Sequence, residues 1–312
     1  MTIAIFGNTG KRETIEEVNR LLAFMQPHGV RILLSAELRN ELYVKQTMEG
    51  KSIREDYPLY TPDTTEDIDF ALSIGGDGTF LTTAMQVVQK DIPILGINCG
   101  HLGFLADVQT DDADRIMQKL LAHEYTIEER SILQITALNS PPETGGVAVR
   151  PREWIPASYS PRFLPNPLAL NEIAILKQEL ASMISVETLL NDEPLHTYYG
   201  DGLIISTPTG STAYNLSAGG PISVPQADVL LLSPVASHSL SVRPLIIPDD
   251  WKLDLRVHSR TGAYLISIDG RSQRLTDEIV LHVEKAARTV KLVRFPEQSF
   301  IDTLKSKLNW GI

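Results

Sequence analysis

Cysteine is the residue that this chain has least of, since Cys99 is its single cysteine in 312 residues. One thiol excludes an intrachain disulfide and any metal cluster that needs several cysteine ligands. Such cysteine usage is typical of a reducing compartment, where disulfides do not persist. We therefore expect a cytoplasmic protein.

Long apolar runs are also missing. No stretch of the sequence reaches the roughly 20 apolar residues that are needed to cross a bilayer. The apolar stretch within Met1–Gly7 is too short for a signal peptide, and no basic segment precedes it. It predicts a first β-strand that ends in a glycine turn, and we expect no membrane among the partners of this protein.

Basic residues are outnumbered by acidic ones. Lys and Arg together number 28 and Asp and Glu 39, which gives a net charge of −11. A general nucleic-acid binder needs a basic surface to displace counterions, so this balance argues against nucleic acid as a partner. It leaves a nucleotide site open, because a few local donors are enough to hold a phosphate.

Several well-known functional motifs are absent as well. Gly7–Arg12 resembles a phosphate-binding P-loop, but its glycines are two residues too close and no Ser or Thr follows the lysine. The dinucleotide fingerprint fails at Gly76-x-Gly78 and at Gly200-x-Gly202, because both lack its third glycine. HExxH and GxSxG do not occur. A nucleotide would have to be bound by a different kind of motif.

What is present divides the chain into two parts of different character, and its length favours two domains. The first hundred or so residues alternate apolar strands with helical patterns, which is typical of a parallel sheet covered by helices. After about Glu128, short strand-like runs separated by turn signals predict a β-rich domain. We predict an α/β domain at 1–127 and a β-rich domain at 128–298, with a helix in 299–312 packing back on the first domain.

A proline-rich segment interrupts the second part. Residues 140–167 contain seven prolines, and proline resists helix and sheet alike. We interpret this segment as an inserted, exposed loop. Because it immediately precedes Asn171, an ordered insertion could cover a site there or build an interface.

The first of three glycine-rich clusters is Ser73–Leu81, which follows an apolar strand and opens a helix. Glycines at such a point expose backbone amides, and the N-terminus of a helix favours anions. Asp77 is unexpected there, because a carboxylate repels a phosphate. Either it serves a magnesium ion or a hydroxyl group that must lose its proton, or it only caps the helix.

Two further clusters follow predicted strands. Gly96–Leu105 belongs to the carboxyl edge of the sheet, where open α/β sheets bind ligands, unless it is a plain loop with its apolar residues in the core. Gly200–Tyr214 carries five hydroxyl residues between positions 206 and 212. These either offer donors to a polar ligand or satisfy their own backbone, and Tyr214 could stack on a base.

In this order, the clusters resemble the NAD kinase family. The resemblance covers roughly residues 1–300 apart from the proline-rich insertion. The Gly-Gly-Asp-Gly-Thr loop alone is less specific, since lipid kinases and phosphofructokinases carry similar loops. The matching motifs are Gly75–Thr79, Gly96–Asn98, Leu102–Leu105, Ala169–Glu172, Asp201–Tyr214, Ser233–Leu245 and Asp269–Gly270.

The resemblance implies a reaction and a first set of residues. The family transfers the γ-phosphoryl group of ATP to the 2′-hydroxyl of the adenosine ribose of NAD, with a divalent cation that is usually Mg²⁺. Asp77 would be the general base that takes the hydroxyl proton, and Asp77 and Gly78 would also contact NAD. Gly75, Gly76, Gly78 and Thr79 would hold phosphates.

The resemblance also implies an NAD site in the second domain. Asn171 and Glu172 match an Asn-Glu pair that contacts the dinucleotide, and such a carboxylate can accept from two ribose hydroxyls. The other implied NAD contacts are Asp201, Thr212, Ala213, Tyr214 and Ser217. His238 is implied to lie near the phosphates, and its ordinary alternative is a buried, hydrogen-bonded histidine.

We therefore expect an ATP-dependent NAD kinase that forms a homodimer or homotetramer and binds its substrates in the cleft between its domains. Two other functions stay open, a lipid or sugar kinase with the same glycine loop and a non-catalytic sensor of NAD or NADP. The dinucleotide-side motifs argue against the first. The presence of Asp77, Glu172 and Asp201 argues against the second.

Overall fold

The computed structural model describes residues 1–48, 57–100, 103–139, 161–162, 164, 166–179, 182–277 and 279–310. The chain forms two compact units. The first contains Met1–Glu129 together with Val290–Ile312, and the second contains Arg130–Thr289. The C-terminal helix therefore belongs to the first unit, as predicted.

Within the described residues the chain forms 19 strands and six α-helices. The strands are β1 (Thr2–Gly7), β2 (Arg31–Ser35), β3 (Leu59–Tyr60), β4 (Phe70–Gly75), β5 (Ile94–Asn98), β6 (Val108–Gln109), β7 (Thr126–Asn139), β8 (Pro161–Arg162), β9 (Leu168–Ala169), β10 (Glu172–Lys177), β11 (Ile184–Leu190), β12 (Glu193–Gly200), β13 (Gly202–Ser206), β14 (Val229–Val235), β15 (Leu245–Pro248), β16 (Leu253–Ser259), β17 (Ala263–Ile268), β18 (Arg271–Thr276) and β19 (Ile279–Arg294). The helices are α1 (Arg12–Met25), α2 (Ala36–Met48), α3 (Asp77–Val87), α4 (Ala113–Leu121), α5 (Tyr214–Ser217) and α6 (Phe300–Leu308).

The first unit is built on a parallel sheet with the strand order β3-β2-β1-β4-β5. Ile3 pairs with Ile32 on one side and with Phe70 on the other. The strands β4 and β5 are buried along their whole length, as expected of strands with helices on both faces. Because the strands are parallel, their carboxyl ends meet at one edge, where Gly75 pairs with Asn98.

Helix α1 illustrates how the sequence builds the helical layer. Its apolar residues recur every three or four positions, which places them on one face. That face is buried in the core cluster that also takes in side chains of β1 and β4. The buried apolar residues of α1 are Ile15, Val18, Leu21, Leu22 and Met25.

The second unit contains two antiparallel sheets. One has the order β15-β14-β13-β10-β17-β18, and the other contains β12, β11, β16 and the first part of β19. Apolar side chains of both sheets share one core cluster around the fully buried Tyr264. The register pairs Glu172 with Ser206 and Ile173 with Ile268. The start of β10, the end of β13 and the turn after β17 therefore lie side by side.

The structure refines the predicted strands of this unit. The apolar pattern over Leu168–Leu176 predicts one strand, but β9 and β10 are separate. The interruption arises because the backbone of Asn171 bonds elsewhere: its N–H donates to the carboxylate of Asp269, and its carbonyl accepts from the N–H of Thr207. The apolar patterning also fails to predict β12 and β18, which are sheet edges with mostly exposed or half-exposed side chains.

Most of the proline-rich insertion lies outside the described residues. Of positions 140–167, the structure describes 161, 162, 164, 166 and 167. Pro161–Arg162 forms β8, which pairs antiparallel with β7. Among the helices within the described ranges, none is long and apolar enough to span a membrane.

Candidate active site

The glycine-rich loop Gly75–Thr79 joins β4 to α3 at the carboxyl edge of the parallel sheet. Gly75 has a φ of +154°, and a Cβ added there would lie 2.4 Å from Oγ1 of Thr79, so only glycine suits this position. Gly76 is the N-cap residue of α3, and no side chain makes a capping hydrogen bond there. Asp77 is the first residue of the helix, so the interpretation of Asp77 as a simple helix cap does not describe this structure.

The carboxylate of Asp77 is held by the backbone at the end of the glycine-rich cluster Gly96–Leu105 and of the residue that follows it, Ala106. Oδ1 accepts hydrogen bonds from the N–H groups of Leu105 (3.0 Å) and Ala106 (3.1 Å). Oδ2 accepts one from the N–H of Phe104 (2.9 Å) and lies 3.5 Å from Nζ of Lys307. The Asp77 side chain keeps 31% of its surface exposed. It is therefore fixed in orientation and still accessible.

The loop that holds Asp77 is itself tightly packed. A Cβ on Gly103 would lie 2.0 Å from Oδ1 of Asp77, and one on Gly96 would lie 2.8 Å from Cα of Ala106. The buried side chain of Asn98 donates from Nδ2 to the carbonyl of Ala106 (3.1 Å). The cluster Gly96–Leu105 is thus more than a plain loop, because its backbone orients the carboxylate; its members at 101 and 102 lie outside the described residues.

In the second unit, Asp269 organises the start of β10 in a similar way. It lies with Gly270 in the turn between β17 and β18, where both residues have a positive φ (46° and 79°). Its Oδ1 accepts from the N–H groups of Asn171 (2.8 Å) and Glu172 (3.1 Å), and its Oδ2 from that of Leu170 (2.8 Å). One carboxylate therefore fixes the backbone of the predicted Asn-Glu pair.

We expect Asp269→Asn to destabilise the protein by about 1–3 kcal/mol, because one of three N–H groups would lose its acceptor in a part-buried position. Asp192→Asn is the matched control, since Asp192 also lies in a turn with a positive φ (68°) but is exposed. Chemical unfolding measures both variants. A loss no larger than that of the control would contradict the positioning role of Asp269.

Glu172 is the most perturbed acid of this region. It is buried, with 7% of its surface exposed, and the pKa of its carboxyl is raised to about 7. Burial is the main cause, the negative charge of Asp269 adds to it, and a hydrogen bond from the backbone of Tyr214 opposes it. Its Oε2 atom has no hydrogen-bond partner within the described residues. Such an atom is suited to a donor from a ligand.

The hydroxyl-rich loop divides into a structural part and an open part. Oγ1 of Thr207 donates to the carbonyl of Leu170 (2.6 Å), and Oγ of Ser206 donates to that of Asn171 (3.3 Å). A Cβ on Gly210 would lie 2.2 Å from the carbonyl oxygen of Asn171, so this glycine permits the close approach. These two buried hydroxyl groups bond the backbone of the segment before β10. They also bond the backbone of their own loop, as the alternative interpretation had expected.

The open part of the loop begins with Thr212, the last residue of the 3₁₀ turn Thr209–Thr212. Thr212 and Ala213 are half-buried, and Tyr214 and Ser217 are exposed. Tyr214 begins α5, and its backbone N–H is the group that bonds Glu172. Of the predicted contacts in this loop, Tyr214 is thus brought beside Glu172 through its backbone.

Asp201 and His238 lie at the other end of β13. Oδ1 of Asp201 is 2.7 Å from Nζ of Lys177, and its backbone N–H donates to the carbonyl of Val235. The N–H of His238 donates to the carbonyl of Tyr199, and the His238 residue is exposed rather than buried. The alternative of a buried histidine therefore does not describe this structure.

The sequence interpretation assigned no role to Asp269 or Lys307. The Asp-Gly pair does signal a turn, and a turn alone says nothing about which backbone its carboxylate binds. Lys307 lies 230 positions after Asp77, and nothing in local patterning links them.

Two family models match this chain. The one described as ATP-NAD kinase N-terminal domain matches residues 3–125. The one described as ATP-NAD kinase C-terminal domain matches residues 170–295. Together they cover well over half of the sequence.

Relatives with known names align along the whole chain. The NAD kinase of Bacteroides fragilis is 41% identical over 312 residues, which cover 100% of this chain and 98% of that protein. The NAD kinase of Flavobacterium johnsoniae is 38% identical over 313 residues, with the same two coverages.

Solved structures share the fold. A yeast NADH kinase complexed with NADH matches with a TM-score of 0.82 at 21% identity, covering 100% of this chain and 88% of that chain. An NAD kinase from Archaeoglobus fulgidus in complex with ATP matches with a TM-score of 0.68 at 23% identity, covering 99% of both chains.

Proposed function

This chain belongs to the NAD kinase family, and from that membership we propose how its residues divide the work of phosphoryl transfer. The enzyme is an ATP-dependent kinase. It transfers the γ-phosphoryl group of ATP to the 2′-hydroxyl of the adenosine ribose of NAD, which yields NADP and ADP.

In this proposal Asp77 is the general base. The observation that supports this role is the position of its carboxylate, which is oriented by the backbone and accessible at the carboxyl edge of the sheet. A carboxylate offers about four lone-pair positions, and three backbone N–H groups use three of them. One position on Oδ2 stays available to a ribose hydroxyl. The hydroxyl proton passes to Asp77 as the ribose oxygen bonds to the γ-phosphorus and ADP leaves.

Gly75, Gly76, Gly78 and Thr79 hold the phosphates of ATP in this proposal. A Cβ added to Gly76 or to Gly78 would meet no atom within 4 Å, so the space beside these glycines is open. Phosphates can approach the backbone there, and the N-terminus of α3 favours their negative charge. Transfer then depends on positioning and on charge stabilisation, as phosphoryl transfer generally does.

The NAD contacts are proposed in the second unit. The unpartnered Oε2 of Glu172 would accept from a ribose hydroxyl beside Asn171. Ala213 leaves room for a planar ring, and the exposed ring of Tyr214 can stack on a base. The further proposed contacts are Thr212, Ser217 and Asp201 with NAD and His238 with the phosphates.

A divalent cation, Mg²⁺, is part of the proposal. Mg²⁺ is usually held by one or two carboxylates together with substrate phosphates and water. The ATP phosphates and water would hold the ion, and we assign it no protein ligand, because the free position on the Asp77 carboxylate is proposed to bind the ribose hydroxyl. When bound, the ion neutralises charge on the transferred group. The homodimer or homotetramer and the cytoplasmic location expected from the sequence stay predictions.

The deciding experiment is an assay of the purified protein with NAD, ATP and Mg²⁺, in which an NADP-specific dehydrogenase detects the product. We expect a signal that requires all three components. Two further assays replace ATP by polyphosphate and NAD by NADH. If none of these combinations gives product, the kinase assignment is wrong, and a binding titration with NAD then tests the sensor alternative.

A further inference from the structure

The glycine loop contains an electrostatic conflict. It is proposed to hold the phosphates of ATP, yet it carries the carboxylate of Asp77, and two anions in one loop repel each other. A bound metal ion relieves this repulsion only when it is present. The first unit also contains a permanent positive charge beside that carboxylate.

That charge is Lys307, in the last turn of α6. Its Nζ lies 3.5 Å from Oδ2 of Asp77 and 4.7 Å from the ring centroid of Phe104, whose backbone N–H binds the same oxygen. The ring of Phe300, at the start of α6, lies 6.4 Å from that of Phe104. Both ends of α6 thus contact the loop that orients Asp77.

The burial of α6 explains how the lysine is held. Leu304, between the two contacts, is buried and anchors the helix. The Lys307 side chain is 29% exposed, so its stem is covered while its ammonium group reaches the carboxylate. At 3.5 Å from Oδ2, Nζ is close enough to offset the charge of the carboxylate and farther than an ordinary N–H···O hydrogen bond.

We propose that Lys307 is a positioning residue of the phosphoryl-transfer site, which offsets the charge of Asp77 so that the base and the polyphosphate of ATP can share one loop. This proposal rests on the function proposed above. When a ribose hydroxyl binds to Oδ2, the ammonium stays beside the carboxylate. The C-terminal helix is then part of the active site although it follows the last matched family domain.

The test measures ATP binding as well as turnover. Lys307→Met should raise the Kd and KM for ATP by about 10- to 100-fold and change the KM for NAD little. Lys307→Arg should recover most of the loss, because it keeps the charge. Lys305→Met, in the same helix, is the matched control and should behave like wild type. Thermal stability should be unchanged, because a partly exposed ion pair contributes little to it.

The Asp77→Asn background separates charge compensation from direct contact with phosphate. With the carboxylate gone, Lys307→Met should no longer weaken ATP binding in a calorimetric titration. If it weakens ATP binding equally in both backgrounds, or if the single variant binds ATP like wild type, the proposal is wrong. This test measures ATP binding, so it can be read even if the wild type makes no NADP. Absence of NADP formation would contradict the kinase assignment and not the role of Lys307.

Discussion

Replacing Asp77 by asparagine is expected to lower kcat by about 10²- to 10⁴-fold while the Kd for NAD stays within a few-fold of wild type. Asparagine has nearly the same shape, so it leaves the space for substrates unchanged. It cannot take up a proton from the ribose hydroxyl. Steady-state kinetics of NADP formation and a titration with NAD measure the two effects separately.

The structure adds a second consequence of this substitution. Three N–H groups face the carboxylate of Asp77, and an amide offers an oxygen on only one side. The variant should therefore lose about 1–3 kcal/mol of stability as well. Asp63→Asn, at an exposed site of the first unit, is the matched control for the same chemical change. Turnover close to wild type in the Asp77 variant would remove the general-base role.

Glu172→Gln should stabilise the protein and weaken NAD binding. The pKa of Glu172 is raised from its usual 4.5 to about 7 by burial and by the charge of Asp269, so ionising it in the folded state is unfavourable. Below pH 4.5 the carboxyl is protonated in the folded and the unfolded chain, and its contribution to the free energy of unfolding is fully present. This contribution is lost as the pH rises from 4.5 to about 7, and the free energy of unfolding falls by about 3 kcal/mol in total. Glutamine abolishes that loss.

The expected gain depends on pH, which makes it measurable. At pH 8 the Gln variant should be about 1–3 kcal/mol more stable than wild type, since its buried amide offsets part of the benefit. At pH 4 the gain should vanish. Chemical unfolding at both pH values tests this, with Glu193→Gln on the exposed strand β12 as the matched control. A gain that is independent of pH would mean that ionisation of Glu172 is not its cause.

The Glu172→Gln substitution should stabilise the protein but lower its affinity for NAD. An amide nitrogen cannot accept from a ribose hydroxyl, so the Kd for NAD should rise by about tenfold or more. Stability and function then conflict at Glu172, as is common where a site holds a polar group ready for a ligand. If Glu172→Gln leaves the Kd for NAD unchanged, the proposed contact is wrong.

Local patterning predicts some elements of this fold and misses others for an identifiable reason. The sequence pattern predicts a helix from about Ala36 to Met48, and α2 covers these residues. The strands β4 and β5 are apolar runs because both of their faces are buried. The strands β12 and β18 lie at sheet edges, so their exposed side chains carry little apolar signal. Whether such a segment forms a strand depends on a neighbour that is distant in sequence.

The same distinction applies to the candidate site. The resemblance of several short motifs, taken in their order along the chain, was sufficient to identify the NAD kinase family, because each motif is a property of a short segment. The glycine loop with Asp77 and the Asn171-Glu172 pair were each visible as such segments. The contacts that orient them were not: they join Asp77 to Lys307 and to the loop after β5, and Asp269 to the start of β10.

Two electrostatic features therefore depend on folding alone. The raised pKa of Glu172 arises from burial and from a carboxylate 97 positions away, and neither is a property of the local sequence. The charge beside Asp77 comes from a helix that returns to the first unit only after the second is complete. Residue types and spacing decide which chemistry a chain can carry out. Chain topology decides which charges and backbone amides surround the reacting groups, because it brings distant segments within hydrogen-bonding distance.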